Sequence, residues 1–208
     1  MIGKVYSAAV TGIYAVPVEV QADVAPGIPY FELTGNLAGT TKEAKERVRI
    51  AIKNSKFQIN PSKITINMIP ANIRKEGTSY DLAVAVAVLT AVGVIAAKKV
   101  SGALFIGELG LDGGICNVSS ILPMTLCARD NGFTICYVPM GNVGEASLVT
   151  GIRVIGISSL RECVDYINNG CNCRAHVDNN IDNTDILSKL FHMSSMTILM
   201  IIILILQT

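Results

Sequence analysis

The sequence has no excess of charge of either sign. Its 17 Lys and Arg residues nearly balance 16 Asp and Glu residues, which leaves a formal net charge of +1 over 208 residues. Dedicated nucleic-acid-binding proteins carry strongly basic surfaces that replace the counterions of the phosphate backbone. The composition therefore excludes a global electrostatic attraction to DNA, and any contact with DNA has to be local.

Two signatures, of nucleotide binding and of export, are also missing. No Gly-x-x-x-x-Gly-Lys-Ser/Thr loop occurs, and in the nearest imitation, residues 35–42, the lysine is out of register. The first residues show no basic region followed by a long apolar run and a small-residue cleavage site. We therefore expect no cofactor in this chain and a cytoplasmic location.

Cysteine pairs with a disulfide or metal-binding spacing are scarce. Cys116, Cys127, Cys136 and Cys163 occur singly in apolar segments, where a reduced thiol serves as a small core residue. Near the C-terminus, residues 171, 173 and 176 are Cys, Cys and His, but this trio has no fourth partner. We therefore predict no metal site.

One long uncharged run stands out, because no charged residue occurs between Leu82 and Ala97. Its Ala-Val alternation suits a strand, but it is more than twice as long as a usual strand, and Ala and Leu favour a helix. Thr78 with Asp81 three residues later approximates a capping box. We predict a buried central helix that is N-capped at Thr78 or Ser79.

Ser79 has two interpretations at this position. Its hydroxyl could accept a backbone N–H as a helix cap, or it could be a nucleophile exposed at the helix N-terminus.

The remaining patterns predict an α/β (α+β) fold with an antiparallel N-terminal part and a later βαβ part. Alternating or continuous apolar residues indicate strands, whereas helical spacing and capping residues such as Thr40 and Ser158 or Ser159 indicate helices. The first two predicted strands form a hairpin, and the second of them covers residues 16–24. Further strands are predicted at 30–34, 63–70, 103–109, 135–138 and 153–157. Residues 111–114 carry the Asp-Gly signal of a tight hairpin turn. Besides the central helix, one helix is predicted after Thr40. Three more are predicted at 121–131, at 142–148 and in a last segment that ends near 168.

The helix after Thr40 carries most of the basic residues of the N-terminal half. We interpret them as a solvated face, because Glu43 and Glu46 are interleaved with them. They are Lys42, Lys45, Arg47, Arg49, Lys53 and Lys56.

The segment from Lys75 to Leu82, Lys-Glu-Gly-Thr-Ser-Tyr-Asp-Leu, resembles the loop-to-helix segment in the N-terminal domain of the magnesium-chelatase-like ComM/YifB family. That domain is similar to the peptidase domain of Lon proteases, where a Lys-Asp-Gly-Pro-Ser-Ala-Gly segment holds the catalytic serine at the position of Ser79. Residues 70–74 and 107–113 resemble two further segments of the family. The resemblance spans roughly residues 3–169 and implies the two-layer fold shared by Lon and ribosomal protein S5 domain 2.

The same resemblance predicts that catalytic residues are absent. Lon activates its serine with a lysine from a Gly-Gly-Val-Lys-Glu-Lys run, and Leu122 occupies that lysine position here. The other nearby lysines in sequence are Lys75, Lys98 and Lys99. We therefore expect this chain by itself not to be an enzyme; the alternatives are a serine peptidase with a relocated lysine or a free-standing assembly domain.

The family resemblance also implies a role for the whole protein. That role is ATP-driven remodelling of branched DNA in recombination and natural transformation, for which an AAA+ domain binds ATP and magnesium. The expected partners are that AAA+ domain or further copies in a homo-oligomer, with DNA contacted through the full-length assembly and no membrane involved.

We divide the chain into residues 1–169, which form the Lon-like domain, and residues 170–208, which form a tail without family resemblance. The tail is rich in Asn and Asp, and we expect it to be poorly ordered. Its final aliphatic run, 196–206, is shorter than the roughly 20 residues that span a bilayer.

Overall fold

The computed structural model describes residues 2–170, so the predictions for the tail and for its Cys and His residues lie outside the described residues. The strands are β1 Gly3–Thr11, β2 Tyr14–Pro26, β3 Tyr30–Thr34, β4 Ser62–Ile69, β5 Ala103–Phe105, β6 Glu108–Leu109, β7 Ile115–Cys116, β8 Ile135–Pro139 and β9 Arg153–Ile157. The α-helices are α1 Gly39–Lys42, α2 Ala44–Asn54, α3 Asp81–Ala91, α4 Ile121–Asp130, α5 Val143–Ala146 and α6 Leu160–Asn169.

Seven of the strands form one mixed sheet in the order β3-β4-β2-β1-β5-β8-β9. Strand β2 pairs antiparallel with β1 and β4, as expected for the N-terminal hairpin. The pairs β1–β5, β5–β8 and β8–β9 are all parallel. Helix α4 lies in the connection from β5 to β8 and α5 in that from β8 to β9, as parallel pairing of neighbouring strands requires. The predicted α/β fold is therefore confirmed.

Helix α3 is enclosed on all sides, and every residue from Asp81 to Ala91 is buried. It packs against β1, β2, α2 and α6. Its alternating Ala residues let the sheet approach closely, and at Gly3 an added Cβ would overlap the carbonyl oxygen of Ala87. The predicted buried central helix is confirmed.

The sheet contributes side chains to two hydrophobic clusters because neighbouring residues of a strand point to opposite faces. Val5 and Ala9 of β1 join the cluster that contains α3, together with residues of α2 and α6. Ala8, between them, joins a second cluster with residues of α4 and α5. The helices therefore cover both faces of the central strands.

The predicted limits and caps of the first helices are wrong. Helix α3 ends at Ala91 rather than near residue 97, because Gly93 adopts a left-handed backbone (φ 83°) and the N–H groups of Val94 and Ile95 bond the Leu89 carbonyl. Neither Thr78 nor Ser79 caps it: Tyr80 holds the N-cap position without a side-chain hydrogen bond.

Helix α2 likewise begins at Ala44 without a side-chain cap, since the short helix α1 already contains Thr40. Its predicted amphipathic character is confirmed by the buried Val48 and Ile52. At α6 the predicted cap is present, because Ser159 Oγ accepts the Glu162 N–H at 3.2 Å.

The single strand predicted for 103–109 is divided into β5 and β6. Between them Gly107 bonds the start of α3: its N–H donates to the Ser79 carbonyl at 2.9 Å, and its carbonyl accepts from Leu82 N–H at 3.0 Å. Strand β6 then pairs with β7 in a separate two-stranded sheet, which confirms the Asp-Gly hairpin. One cysteine prediction also fails, because Cys116 is exposed whereas Cys127, Cys136 and Cys163 are buried free thiols.

No helix among residues 2–170 is both long and apolar enough to cross a membrane.

The close contact between β1 and α3 generates a prediction. Gly3→Ala should destabilise the protein by about 1–3 kcal/mol, because the added methyl group has to displace α3 backbone. Gly144→Ala is the matched control, since an added Cβ there meets nothing within 4 Å. Urea denaturation of both variants measures the difference, and equal stability of the two would contradict the tight packing.

Candidate functional site

A pocket of about 480 Å³ opens where the chain enters α3 and α4, next to β6. Its apolar lining includes Val10, Tyr80, Val118 and Met124. Its polar lining consists of hydroxyl, amide and carboxylate side chains, namely Glu76, Thr78, Ser79, Glu108, Asn117, Ser119 and Ser120. The volume lies in the range of small-ligand pockets, but the lining is mainly polar.

Ser79 lines this pocket, and the residue is only 6 % exposed. Its carbonyl is bonded by Gly107, but its hydroxyl has no hydrogen-bond partner among residues 2–170. Of the two interpretations of Ser79, the structure removes the helix cap and leaves a hydroxyl at the pocket wall.

Lys75 is fully buried and serves the backbone rather than the pocket. Its ammonium group donates to the carbonyl of Gly35 at 2.8 Å, to that of Met68 at 3.2 Å and to that of Pro70. Burial lowers the pKa of Lys75. The three carbonyls nevertheless occupy all three N–H groups of the ammonium form, so loss of a proton would remove one of these bonds.

The glycine-containing loop 35–42 packs on the segment that leads into the pocket. The backbone N–H of Lys75 donates to the Asn36 carbonyl at 3.0 Å, and the backbone N–H of Ala38 donates to the Lys75 carbonyl at 2.9 Å. The Thr41 hydroxyl also donates to the Gly77 carbonyl at 2.9 Å. These bonds hold residues 75–80, called here the Ser79 loop, in place.

Arg47 departs from the predicted solvated face of α2. Its guanidinium contacts both carboxylate oxygens of Asp81, with Nε to Oδ2 at 2.7 Å and a second bond at 3.0 Å. Burial raises the pKa of Asp81, and the guanidinium opposes that shift by stabilising the carboxylate. The other five basic residues of that face are exposed, as predicted.

Two further contacts hold the pocket walls. Thr78 donates its hydroxyl to Glu108 of β6. The Asn142 side chain accepts from the Val118 N–H and donates to the Val118 carbonyl, both at 2.9 Å. Sequence patterns missed these contacts and the Arg47–Asp81 pair, since the partners lie 24 to 34 residues apart.

The structure does not bring a lysine to Ser79. Leu122, at the position of the Lon lysine, is buried in the second cluster on α4. Lys98 and Lys99 lie in a 3₁₀ turn beyond the opposite end of α3, where Lys99 donates to the Asn168 carbonyl. Within residues 2–170, no Lys, Arg or His lines the pocket.

The Lys75 contacts predict a structural role for this residue. Lys75→Met should destabilise the protein by about 1–3 kcal/mol, because it removes the ammonium donor from one buried and two partly buried carbonyls. Lys98→Met is the control, since Lys98 is exposed. Chemical denaturation measures both, and a Lys75→Met variant as stable as the control would show that the three bonds contribute little.

Comparison with known proteins shows which family this chain is related to. The family model described as subunit ChlI of Mg-chelatase matches residues 20–142. Competence protein ComM of Haemophilus influenzae is 33 % identical over 164 residues, which are 79 % of this chain and 32 % of ComM. Uncharacterized protein YifB of Escherichia coli is 36 % identical over 147 residues, which are 71 % of this chain and 29 % of YifB.

An uncharacterized protein of Mycobacterium tuberculosis is 35 % identical over 166 residues, or 80 % of this chain and 33 % of that protein. The chain therefore spans about a third of the length of the curated relatives it matches. The family match covers more than half of the chain, from β2 to the 3₁₀ turn before α5, and includes the whole Ser79 loop. The chain belongs to the magnesium-chelatase subunit ChlI family.

Proposed function

We propose that this chain is a non-catalytic, Lon-like N-terminal module of a ComM-type magnesium-chelatase-like protein. The observation that supports it most directly is the pocket at Ser79, which has a serine hydroxyl but no basic side chain among the described residues. A serine hydroxyl is a weak nucleophile unless a neighbouring base takes its proton.

Among residues 2–170, the lysines nearest to Ser79 in sequence do not line its pocket. Lys75 uses its three N–H groups on backbone carbonyls. Lys98 and Lys99 follow the C-terminal end of α3, whereas Ser79 precedes its N-terminus, and an 11-residue helix is about 16 Å long. Glu108 already accepts the Thr78 hydroxyl. This distribution favours a non-catalytic module over the peptidase alternative.

For the whole protein we propose ATP-driven remodelling of branched DNA in recombination and natural transformation. The name of the Haemophilus relative, a competence protein, agrees with a role in transformation. ATP and magnesium would bind to an AAA+ domain, and this module would act through that domain or through further copies of itself. The exposed basic residues of α2 alternate with Glu43 and Glu46, which favours DNA contact by the assembly rather than by this module alone.

The non-catalytic proposal predicts that a fluorophosphonate probe does not label Ser79. The protein should show no covalent adduct by intact-mass spectrometry, because the hydroxyl has no base to activate it. Ser79→Ala is the control and should keep the stability of the wild type within about 0.5 kcal/mol, since the hydroxyl makes no bond that is lost. An adduct that disappears in Ser79→Ala would establish a peptidase-like site instead.

The family role predicts that residues 1–169 can replace the matched third of Haemophilus influenzae ComM. The chimera should retain ATP-dependent processing of branched DNA and support natural transformation. A second chimera carrying Gly3→Ala tests whether the folded module is needed, and it should be less active. A stable, ATP-hydrolysing chimera without DNA processing would argue against the proposed role.

A further inference from the structure

Helix α2 and its two ends carry a row of exposed basic side chains. Three of them, Lys45, Arg49 and Lys53, lie inside the helix at intervals of four residues. At about 100° per residue they fall within an arc of about 80°, with neighbours about 6 Å apart along the helix axis. Lys42, at the end of α1, and Lys56, just beyond α2, are exposed at either end. These five residues are called here the basic row.

The carboxylates of α2 do not neutralise the lysines of the basic row. Glu46 contacts Arg49 at 2.8 Å, and Glu43 lies 3.9 Å from Arg47. Arg47 itself lies outside the arc of the row and binds Asp81. Among residues 2–170, the four lysines of the row make no ion pair. The row therefore presents four unpaired positive charges to solvent.

The last residue of the row is a lysine at a position where glycine is the usual residue. Lys56 has φ 63°, in the left-handed region, and its backbone N–H donates to the Lys53 carbonyl at 3.0 Å. Helices commonly end with glycine in this conformation, because a side chain there is strained. Glycine can therefore replace Lys56 without strain, so the charge can be removed without a loss of stability.

The surroundings of the basic row favour phosphate over other anionic partners. None of the large hydrophobic side chains exposed among residues 2–170 lies on α1 or α2, whereas membrane surfaces and protein hot spots depend on apolar anchors. Lys and Arg bind phosphates without any apolar contact. A DNA strand carries a phosphate about every 3.4 Å along the duplex axis, so a row about 12 Å long from Lys45 to Lys53 meets several of them.

We propose that the basic row is the surface through which this module contacts the phosphate backbone of duplex DNA, without reading its sequence. Five cations on one module give weak, salt-sensitive binding, and copies of the module in an assembly add their contacts. The inference rests on the proposed function, in which the assembly acts on DNA, and it assigns the contact to a surface of this chain.

The test measures binding of the full 208-residue chain to a short fluorescent duplex by anisotropy, from low salt upwards. Combining Lys45→Gln with Lys53→Gln should weaken binding about tenfold at about 50 mM salt and lower the slope of log K against log salt by about two, as expected for two lost phosphate contacts. The matched control combines Lys63→Gln with Lys98→Gln, which removes the same charge from exposed lysines outside the row. It should change binding by less than about twofold.

A second variant, Lys56→Gly, separates the effect of charge from that of stability. It should weaken binding and lower the salt slope by about one, because it removes one phosphate contact. Chemical denaturation should show no loss of stability, since glycine adopts the left-handed backbone freely. Weaker binding by this variant therefore cannot result from unfolding.

Absence of binding at low salt, or equal weakening by the row variant and its control, would overturn the inference. Poly-glutamate bound as tightly as the duplex would indicate an acidic protein partner and would overturn it as well. Row-dependent DNA binding together with an inactive ComM chimera would leave this inference standing and contradict the role proposed for the whole protein.

Discussion

Helix α3 has no exposed side, and the rest of the fold is arranged to enclose it. A helix that is apolar all round is stable in water only when other elements cover it. Strands β1 and β2 and helices α2 and α6 provide that cover. The helix carries one charged group, Asp81, which the Arg47 guanidinium of α2 stabilises. This ion pair couples the position of α2 to the start of α3 and thereby to the Ser79 loop.

The pocket depends on the same arrangement. The Ser79 loop is held from behind by Lys75 and Thr41, and at its side by the Thr78 contact with Glu108. The result is a serine-containing loop that several hydrogen bonds hold at the entrance to a buried helix. Among residues 2–170, Lys75 is the lysine nearest to Ser79 in sequence, and its ammonium group donates to backbone carbonyls instead. Within residues 2–170, the pocket is therefore lined by a serine hydroxyl and by no basic side chain.

Sequence patterns predicted those elements whose character comes from their own residues. The alternation in β2, the apolar face of α2 and the Ser159 cap of α6 depend on contacts within a few residues. The predicted caps at Thr40 and Thr78 are wrong for two different reasons, a tertiary contact at Thr78 and an additional short helix at Thr40. Thr78 donates to Glu108, and the chain near Thr40 forms the separate helix α1. Arg47 has the same spacing in the sequence as the exposed basic residues around it. No feature of the local sequence therefore distinguishes it as the partner of Asp81.

The sequence by itself determined that this chain has a buried central helix and a mixed α/β order of elements. It also determined that a serine precedes that helix and that position 122 is a leucine rather than a lysine. These properties follow from composition, periodicity and residue identity. Only the tertiary structure decided where the remaining lysines and the Ser79 hydroxyl point. Lys75 is four residues from Ser79, yet its ammonium group bonds carbonyls of residues 35, 68 and 70. A long side chain adopts the rotamer that satisfies its buried charge, and the partners that satisfy it come from segments brought together by folding.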